Sequence, residues 1–219
     1  MKLHLGCGQI YLQGYVNIDF PLSKHSVQQK SVADVTVDIQ ELKYPSQSVE
    51  EIRLRHVFEH FPRPVALALL ASWRSWLKYG GILRIEVPDF DRTALEVLKV
   101  LNNKKKRYIA LRHIFGSQEA DWAVHYEGWS PKRLQEILNL LGFTTISITK
   151  NQWKGTYNFE IITQKNNLHF DKRNIVETVR TILTYYLIDE TNTEKLLLRE
   201  WMNRFKKQLN NSWVVEKHL

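Results

Sequence analysis

Hydrophobic and polar positions alternate along the first 165 residues of the chain in two different periods. Short segments with period-two spacing and β-branched residues predict strands at residues 2–5, 15–19, 34–38, 51–56 and 82–87. After the fourth segment, Pro64 starts a stretch with helical spacing, whose apolar face contains Ala66, Leu69, Leu70, Trp73, Trp76 and Leu77. The pair Gly80-Gly81 is predicted to stop this helix.

A second helix is predicted at residues 131–141, because Ser130 can cap it, Pro131 suits the first turn and Gly142 follows the last one. Two further strands, 143–149 and 156–163, are so close in sequence that an antiparallel pair at one sheet edge is expected. Strands that alternate with helices indicate a parallel sheet with crossover connections. The predicted fold is therefore α/β and Rossmann-like, with a mostly parallel seven-stranded sheet and an antiparallel edge hairpin.

The pattern changes at Gln164. Beyond it, apolar residues fall on two helical stripes separated by a polar segment: Ile175, Val179, Ile182 and Tyr186, then Leu197, Trp201, Phe205 and Leu209. We expect residues 1–165 to form the sheet domain and residues 166–219 to form a C-terminal helical extension. The stripes need a surface to cover them, either on the sheet domain or in a homodimer through these helices.

Composition excludes several classes of protein. The 219 residues contain 43% hydrophobic and 25% charged side chains, which is typical of a globular domain. No apolar run of about 18 residues occurs, which argues against a membrane span, and no secretory signal is recognisable at the N-terminus. The single cysteine, Cys7, excludes an internal disulfide framework and a multi-cysteine zinc site. A reducing, cytoplasmic location is expected.

Charge adds one unusual feature. The net charge is +8, and residues 97–118 contain six Lys or Arg side chains but no Asp or Glu. A basic stretch of this kind can meet nucleic acid, an anionic glycan or an acidic partner. It can equally be a solvated helix face without a partner.

Candidate binding residues follow the first three strands. Gly6-Cys7-Gly8 comes directly after the first strand, where glycines let the backbone approach a ligand closely. Asp19 and Asp38 end the next two strands, and an acid at such a position can accept ribose hydroxyls. Each of these residues alone would fit an ordinary turn or cap. Together they predict a nucleoside-bearing ligand that lies across the strand ends, although the dinucleotide and Walker phosphate motifs are absent.

Five segments, in this order, resemble the class I S-adenosylmethionine-dependent methyltransferases, above all the compact branch associated with polysaccharide biosynthesis. They are LHLGCGQIYLQGYVNID, ADVTVDIQEL, RHVFEHF, GGILRIEVPDFD and HYEGWSPKRLQEILNLLGF, and the resemblance extends over residues 2–163. Two departures are a very short helix after Gly8 and Tyr79-Gly80-Gly81 in place of the usual Pro-Gly.

The resemblance implies S-adenosylmethionine as cofactor and assigns roles to residues. Gly6, Cys7 and Gly8 would approach its methionine portion, and Asp19 would bind the ribose. Asp38 and Ile39 would contact the adenine, whereas His56 and Val57 would line the wall near the sulfonium. In this family the segment 121–129 faces the acceptor.

Methyl transfer to a hydroxyl requires a base, and histidine suits this role near neutral pH. The candidates are His125, which is preferred, His56 and His60, with Asp89 and Asp91 as carboxylate alternatives. Asp89 could instead orient the base. A zinc site at His56 and His60 is not expected, because the pattern His-Glu-x-x-His is absent. His60 is expected to be a residue at the entry of the following helix.

Three aromatic residues flank His125 and are candidates for substrate binding. Trp122, Tyr126 and Trp129 could stack on a sugar ring or a base. They could also fasten the loop to the core, because large aromatic side chains are often simply buried.

The leading hypothesis is an S-adenosylmethionine-dependent methyltransferase that modifies a sugar hydroxyl of a glycan or of its precursor. The alternatives are an RNA or DNA methyltransferase, favoured by the basic stretch, and a non-catalytic scaffold that keeps the cofactor fold. The sequence contains neither an Asn-Pro-Pro-Tyr-like motif nor a recognisable RNA-binding module.

Overall fold

A computed structural model describes residues 1–153, 155–167 and 171–213 of the chain. Its seven strands in these ranges form one mixed sheet with the order β3-β2-β1-β4-β5-β7-β6. The strands are β1 (Lys2–Leu5), β2 (Val16–Asp19), β3 (Val35–Thr36), β4 (Val49–Arg55), β5 (Leu77–Pro88), β6 (Phe143–Trp153) and β7 (Thr156–Lys165). The first five are parallel, and β7 pairs antiparallel with both β5 and β6. The predicted Rossmann-like sheet with its antiparallel edge hairpin is confirmed.

Six α-helices accompany the sheet in the described ranges. They are α1 (Arg63–Trp76), α2 (Phe90–Leu98), α3 (Lys104–Phe115), α4 (Pro131–Leu140), α5 (Lys172–Thr184) and α6 (Asn192–Ser212). The bounds predicted for α4 agree with the structure to one residue. Ser130 occupies its N-cap position, although the Ser130 side chain makes no capping hydrogen bond.

Two local predictions were wrong. The helix α1 ends at Trp76, and Gly80 and Gly81 lie inside β5 instead of stopping the helix. Their position coincides with a shift of register between β4 and β5, where a Cβ on Gly81 would lie 2.9 Å from the Lys78 carbonyl oxygen. The second error concerns the connection from Gly8 to Val16, which contains no helix at all. The Gly6-Cys7-Gly8 segment therefore lies in a strand-to-strand loop.

The hydrophobic core lies on the sheet face that α1 covers. Along β4 and β5, alternate residues such as Ile52, Leu54, Leu83 and Ile85 are at most 1% exposed. The intervening charged residues project to the other face, where Arg53 and Arg84 both form ion pairs with Glu160. The alternation of apolar and charged residues in these two strands thus reflects one apolar and one charged face of the sheet.

The C-terminal helices pack on α1 of the same chain. Phe205 and Leu209 of α6 are fully buried, and the Ser212 side chain forms a hydrogen bond of 2.8 Å with Ser72. Trp76 Nε1 donates to the Ser212 carbonyl oxygen. The apolar stripes are therefore largely used within the chain, and a homodimer through residues 166–219 stays a prediction. Residues 168–170 and 214–219 of this extension lie outside the described ranges.

None of the helices in the described part of the chain combines the length and apolar character that crossing a membrane would require.

Candidate functional site

A cavity of about 1030 Å³ lies at the carboxyl ends of β1, β2 and β4. Parallel α/β sheets place their ligands at this edge. All eight residues that the resemblance assigns to the cofactor line it: Gly6, Cys7, Gly8, Asp19, Asp38, Ile39, His56 and Val57. The catalytic candidate His125 lines the same cavity.

The loop after β1 adopts a conformation that requires glycine. Gly6 and Gly8 have φ angles of +67° and +56°, in the left-handed region. A Cβ on Gly6 would lie 2.2 Å from Cγ2 of Val57, so Gly6 allows β1 and the end of β4 to approach each other. A Cβ on Gly8 would meet no atom within 4 Å. The Gly8 backbone therefore faces open space, as a ligand cradle requires.

Cys7, between these glycines, is buried, and its thiol is unreactive near neutral pH. Burial raises the pKa of its thiol to about 11, and the nearby Asp19 carboxylate acts in the same direction. The thiol therefore stays protonated near neutral pH and is a poor nucleophile.

Asp19 connects the glycine loop to β2. Its Oδ2 accepts a hydrogen bond of 2.7 Å from the Gly8 N–H, and Oδ1 accepts one of 2.8 Å from Phe20 N–H. His25 Nε2 lies 3.6 Å from Oδ1 and makes no hydrogen bond to the described residues. Each carboxylate oxygen has a second lone pair, so the side chain retains capacity for two ligand hydroxyls.

Asp38 caps the turn that follows it, as an aspartate at such a position commonly does. It precedes a single 3-10 turn, Ile39–Glu41, and its Oδ1 accepts a hydrogen bond from Gln40 N–H. The Gln40 carbonyl oxygen in turn accepts hydrogen bonds from Gln208 and Asn211 of α6. The C-terminal extension thus supports this wall of the cavity.

His56 lies directly after β4 with a left-handed φ of 53°, an uncommon conformation for a residue with a side chain. Its Nδ1 lies 3.4 Å from Glu59 Oε1, and its Nε2 lies 3.6 Å from Glu86 Oε1. Burial disfavours the charged form of His56, but the two carboxylates outweigh this effect and raise its pKa to about 9. His56 is therefore an imidazolium near neutral pH and not a proton acceptor.

His125 meets two residues that come from the 3-10 turn Phe58–His60. The rings of His125 and His60 are 4.8 Å apart, and His125 Nε2 lies 3.9 Å from Glu59 Oε1. Burial lowers the pKa of His125, while the Glu59 carboxylate acts in the opposite direction. His125 is thus neutral at physiological pH, in contrast to His56.

Trp122 joins the two sides of the cavity. Its ring centroid lies 5.5 Å from that of His25 and 6.1 Å from that of His60. Its Nε1 donates a hydrogen bond of 2.7 Å to the Lys24 carbonyl oxygen, which fixes the orientation of the ring.

Three candidates lie outside the cavity lining. Trp129 is 1% exposed and stacks on Phe58 in the core, with 5.0 Å between the ring centroids. Asp89 is fully buried, and its Oδ1 caps α2 by accepting from Arg92 N–H. Tyr126 is exposed at the surface. None of these three side chains lines the cavity in this structure, so their roles in catalysis and substrate binding stay predictions.

The cavity wall also contains residues for which no binding role is predicted from the sequence. Glu59 is 1% exposed and lines the cavity next to His60. The helix α3 contributes Arg112 and His113, while Trp153 comes from β6. Arg112 belongs to the acid-free stretch of the sequence, but no local signal could have placed α3 against the strand ends.

Comparison with solved structures identifies the fold. An S-adenosylmethionine-dependent methyltransferase from Methanosarcina mazei matches with a TM-score of 0.51 and 15% identity, covering 75% of this chain and 92% of that one. One from Archaeoglobus fulgidus gives 0.50 and 17%, covering 75% and 85%. The 1,6-didemethyltoxoflavin-N1-methyltransferase from Burkholderia thailandensis gives 0.50 and 14%, covering 76% and 71%, and contains bound S-adenosylhomocysteine.

No protein-family model and no curated protein matches the sequence. The identities to the solved structures are low enough that the likeness concerns the fold alone. The chain thus has the Rossmann-like fold of S-adenosylmethionine-dependent methyltransferases.

Proposed function

We propose that this chain is an S-adenosylmethionine-dependent methyltransferase that methylates a hydroxyl group. The carrying observation is that a single cavity in a methyltransferase fold is lined both by the glycine loop with Asp19 and Asp38, and by a neutral His125. The first set is suited to a nucleoside and the second to an acceptor hydroxyl. A scaffold protein would need neither.

The residues present fit the cofactor. Gly8 leaves open space at the loop, Asp19 retains free lone pairs for the ribose hydroxyls, and Val37 and Ile39 offer an apolar surface for the adenine. His25 Nε2, a buried nitrogen without a hydrogen-bond partner among the described residues, lies beside Asp19. Bound S-adenosylmethionine would supply a methyl group on a positively charged sulfur.

His125 is the group proposed to accept the proton of the acceptor. Its Nδ1 lies 3.1 Å from the His113 carbonyl oxygen and donates to it, which leaves the lone pair on Nε2. In the transfer, the acceptor oxygen forms a bond to the methyl carbon while the carbon–sulfur bond breaks. The sulfur keeps the electron pair and becomes a neutral thioether, and the hydroxyl proton passes to Nε2. In-line positioning of the two substrates supplies most of the rate.

A sugar hydroxyl is the proposed acceptor. The supporting observation is that Trp122 and the largely exposed Trp153 both line the cavity, since aromatic faces and sugar rings pack well. That this sugar belongs to a glycan or a glycan precursor is proposed from the sequence resemblance to methyltransferases associated with polysaccharide biosynthesis. Nucleic acid is the second candidate, because residues 104–107 are four exposed basic side chains.

Isothermal titration calorimetry with S-adenosylmethionine and S-adenosylhomocysteine tests the cofactor assignment first. We expect one site per chain, and absence of binding by the folded protein would refute the proposal. Transfer is then measured as S-adenosylhomocysteine release with a panel of nucleotide sugars, oligosaccharides and RNA. Turnover with RNA alone would replace the glycan assignment.

His125→Ala and His125→Asn test the base with the acceptor so identified. Both variants should lose about 10²–10⁴-fold in turnover, because neither retains a proton acceptor, while cofactor affinity stays nearly unchanged. Asp89→Asn is the control, since its carboxylate lies outside the cavity lining. Rapid turnover by both His125 variants would remove this residue from the reaction.

A further inference from the structure

Glu59, His60 and His125 form a cluster whose geometry suits a metal ion. Each offers one ligand atom, and the three atoms all lie within 4.8 Å of one another. Two ligands bound to the same ion at about 2.1 Å each are at most about 4.2 Å apart. The distance of 3.9 Å from His125 Nε2 to Glu59 Oε1 is already within that limit. A small side-chain rotation would therefore close the cluster around an ion.

The two imidazoles are oriented in the manner of metal ligands. His60 Nδ1 donates to the Val124 carbonyl oxygen and His125 Nδ1 donates to that of His113, both at 3.1 Å. A carbonyl oxygen only accepts, so each ring carries a proton on Nδ1, and Nε2 is the nitrogen left to bind an ion. A backbone carbonyl on the opposite nitrogen is the usual support of a metal-bound histidine.

Glu59 provides an independent reason to expect a cation. Its side chain is 1% exposed, and neither carboxylate oxygen accepts a hydrogen bond from the described residues. Burial of a carboxylate that accepts no hydrogen bond destabilises the fold unless a positive charge lies close to it. The His56 ring lies 3.4 Å from Oε1 of Glu59 and is shared with Glu86, whose Oε1 lies 3.6 Å from its other nitrogen.

We propose that Glu59, His60 and His125 bind one divalent transition-metal ion, whose remaining coordination positions face the cavity. Two imidazoles and one carboxylate suit zinc, manganese, iron or cobalt, whereas magnesium and calcium prefer oxygen ligands throughout. The pattern His-Glu-x-x-His is not needed for this site, because the second histidine comes from a different loop.

The ion gives the cavity a second way to activate an acceptor, and this consequence rests on the proposed function. A divalent ion holds a hydroxyl oxygen and lowers its pKa. His125 would then be a ligand of the ion, and the proton of the acceptor hydroxyl would pass to solvent water in the cavity instead of to His125 Nε2. In that case turnover falls when the protein is treated with EDTA and returns when the ion is added back.

The binding itself is tested without cofactor or acceptor. Protein treated with EDTA and dialysed is titrated with Co²⁺, Zn²⁺ and Mg²⁺, by calorimetry and by visible absorbance for Co²⁺. We expect one Co²⁺ per chain with visible bands, displacement by Zn²⁺, and much weaker binding of Mg²⁺. Glu59→Gln, His60→Ala and His125→Ala should each weaken Co²⁺ binding by more than about tenfold.

His113→Asn is the matched control, because His113 is an imidazole in the same cavity whose Nε2 bonds to the Tyr157 carbonyl oxygen. It should keep the affinity for Co²⁺. The proposal is overturned if the wild type binds no stoichiometric Co²⁺, or if the three ligand variants bind it as the wild type does. Circular dichroism and wild-type S-adenosylmethionine binding separate this outcome from misfolding and from failure of the proposed function.

The tip of the α2–α3 hairpin, residues 98–107, exposes three apolar side chains: Leu98 at 74%, Val100 at 92% and Leu101 at 100%. Next to them, residues 104–107 form an exposed run of three lysines and one arginine, and no acid occurs from residue 97 to residue 118. Apolar side chains of this size rarely extend into water as a group.

We infer that the hairpin tip docks on an anionic membrane surface. Exposed apolar side chains enter the interface between headgroups and acyl chains, and the adjacent basic residues are attracted to anionic lipids. A phosphate backbone would require the basic residues but would gain nothing from the three apolar ones. The same helix α3 contributes Arg112 to the cavity wall, so docking would bring the cavity close to lipid-linked molecules.

Co-sedimentation of the full chain with vesicles tests this inference. Vesicles of phosphatidylcholine with about one third phosphatidylserine should bind the protein, whereas pure phosphatidylcholine should bind it at least about tenfold more weakly. The double variant Val100→Glu, Leu101→Glu should abolish binding. Leu196→Glu, at an exposed apolar position of α6, should leave it intact. Equal binding by both variants, or a preference for RNA over vesicles, would overturn the inference.

Discussion

Replacement of Asp19 by asparagine tests the carboxylate that joins the glycine loop to β2. The two Asp19 oxygens accept hydrogen bonds from Gly8 N–H and Phe20 N–H. Asparagine has only one oxygen, so its NH₂ group must face one of these two donors. A buried donor left unpaired costs about 1–3 kcal/mol. For a chain of this length, each kcal/mol lowers the melting temperature by about 2–4 °C.

The same substitution should weaken cofactor binding. Loss of hydrogen bonds to a charged group costs about 1.5–3 kcal/mol, which corresponds to an increase in Kd of about 10–150-fold. Scanning fluorimetry gives the stability and calorimetry gives the Kd for S-adenosylmethionine. Asp34→Asn is the matched control, because Asp34 also accepts from a backbone N–H, that of Asn17, but does not line the cavity.

The melting temperature and the Kd test two different roles of Asp19. An unchanged melting temperature would mean that Asp19 does not hold the glycine loop as described. A folded Asp19→Asn protein with the Kd of the wild type would show that ribose binding was wrongly assigned to this carboxylate. A similar loss of affinity in Asp34→Asn would show that general electrostatics, and not a contact, explains the effect.

Three further outcomes are expected. Gly6→Ala should lower the free energy of unfolding by about 2–5 kcal/mol in a denaturant titration, because left-handed backbone strain adds to a clash with Val57. Gly8→Ala should lower it by only about 1–2 kcal/mol, from the strain alone, and equal effects of the two variants would contradict the close approach of Gly6 to Val57. The thiolate absorbance of Cys7 should rise only near pH 11 in the native protein, because burial raises its pKa, and near pH 9 in the unfolded one; native titration near pH 9 would contradict the burial. Phe205→Ala should lower the melting temperature by about 6–20 °C, since it leaves a cavity between α6 and α1; a smaller fall would mean that α6 packs loosely.

The cavity lining at the ends of β1, β2 and β4 could be predicted from the sequence, because its residues end or follow strands. Period-two patterns located β1, β2 and β4, and residues that directly follow parallel strands must meet at one edge of the sheet. Strand order along the chain is therefore enough to bring Gly6, Asp19 and His56 together. Gly80 and Gly81 misled the same reasoning, because glycines that stop a helix and glycines that permit a bulge look identical in sequence.

The opposite wall of the cavity, around His60, Trp122 and His125, could not be predicted in the same way. His60 and the backbone of Val124 meet across 64 residues of sequence, and no periodicity encodes such a contact. For the same reason, Trp122 and Trp129 are indistinguishable as aromatic residues of one loop, although one lines the cavity and the other stacks in the core. Tertiary packing decides these positions, and a single sequence contains no record of it.

The hydrogen bonds from α6 to Gln40 also determine when the cavity becomes complete during synthesis. Gln208 and Asn211 reach back across 168 and 171 residues to hold the turn that follows Asp38. A chain emerging from the ribosome can form β1 to β4 long before these two donors exist. The cavity wall at Asp38 and Ile39, where the adenine is proposed to bind, should thus acquire its final shape only after residue 211 has left the exit tunnel. Nascent chains stalled before that point should bind cofactor poorly even when their sheet has formed.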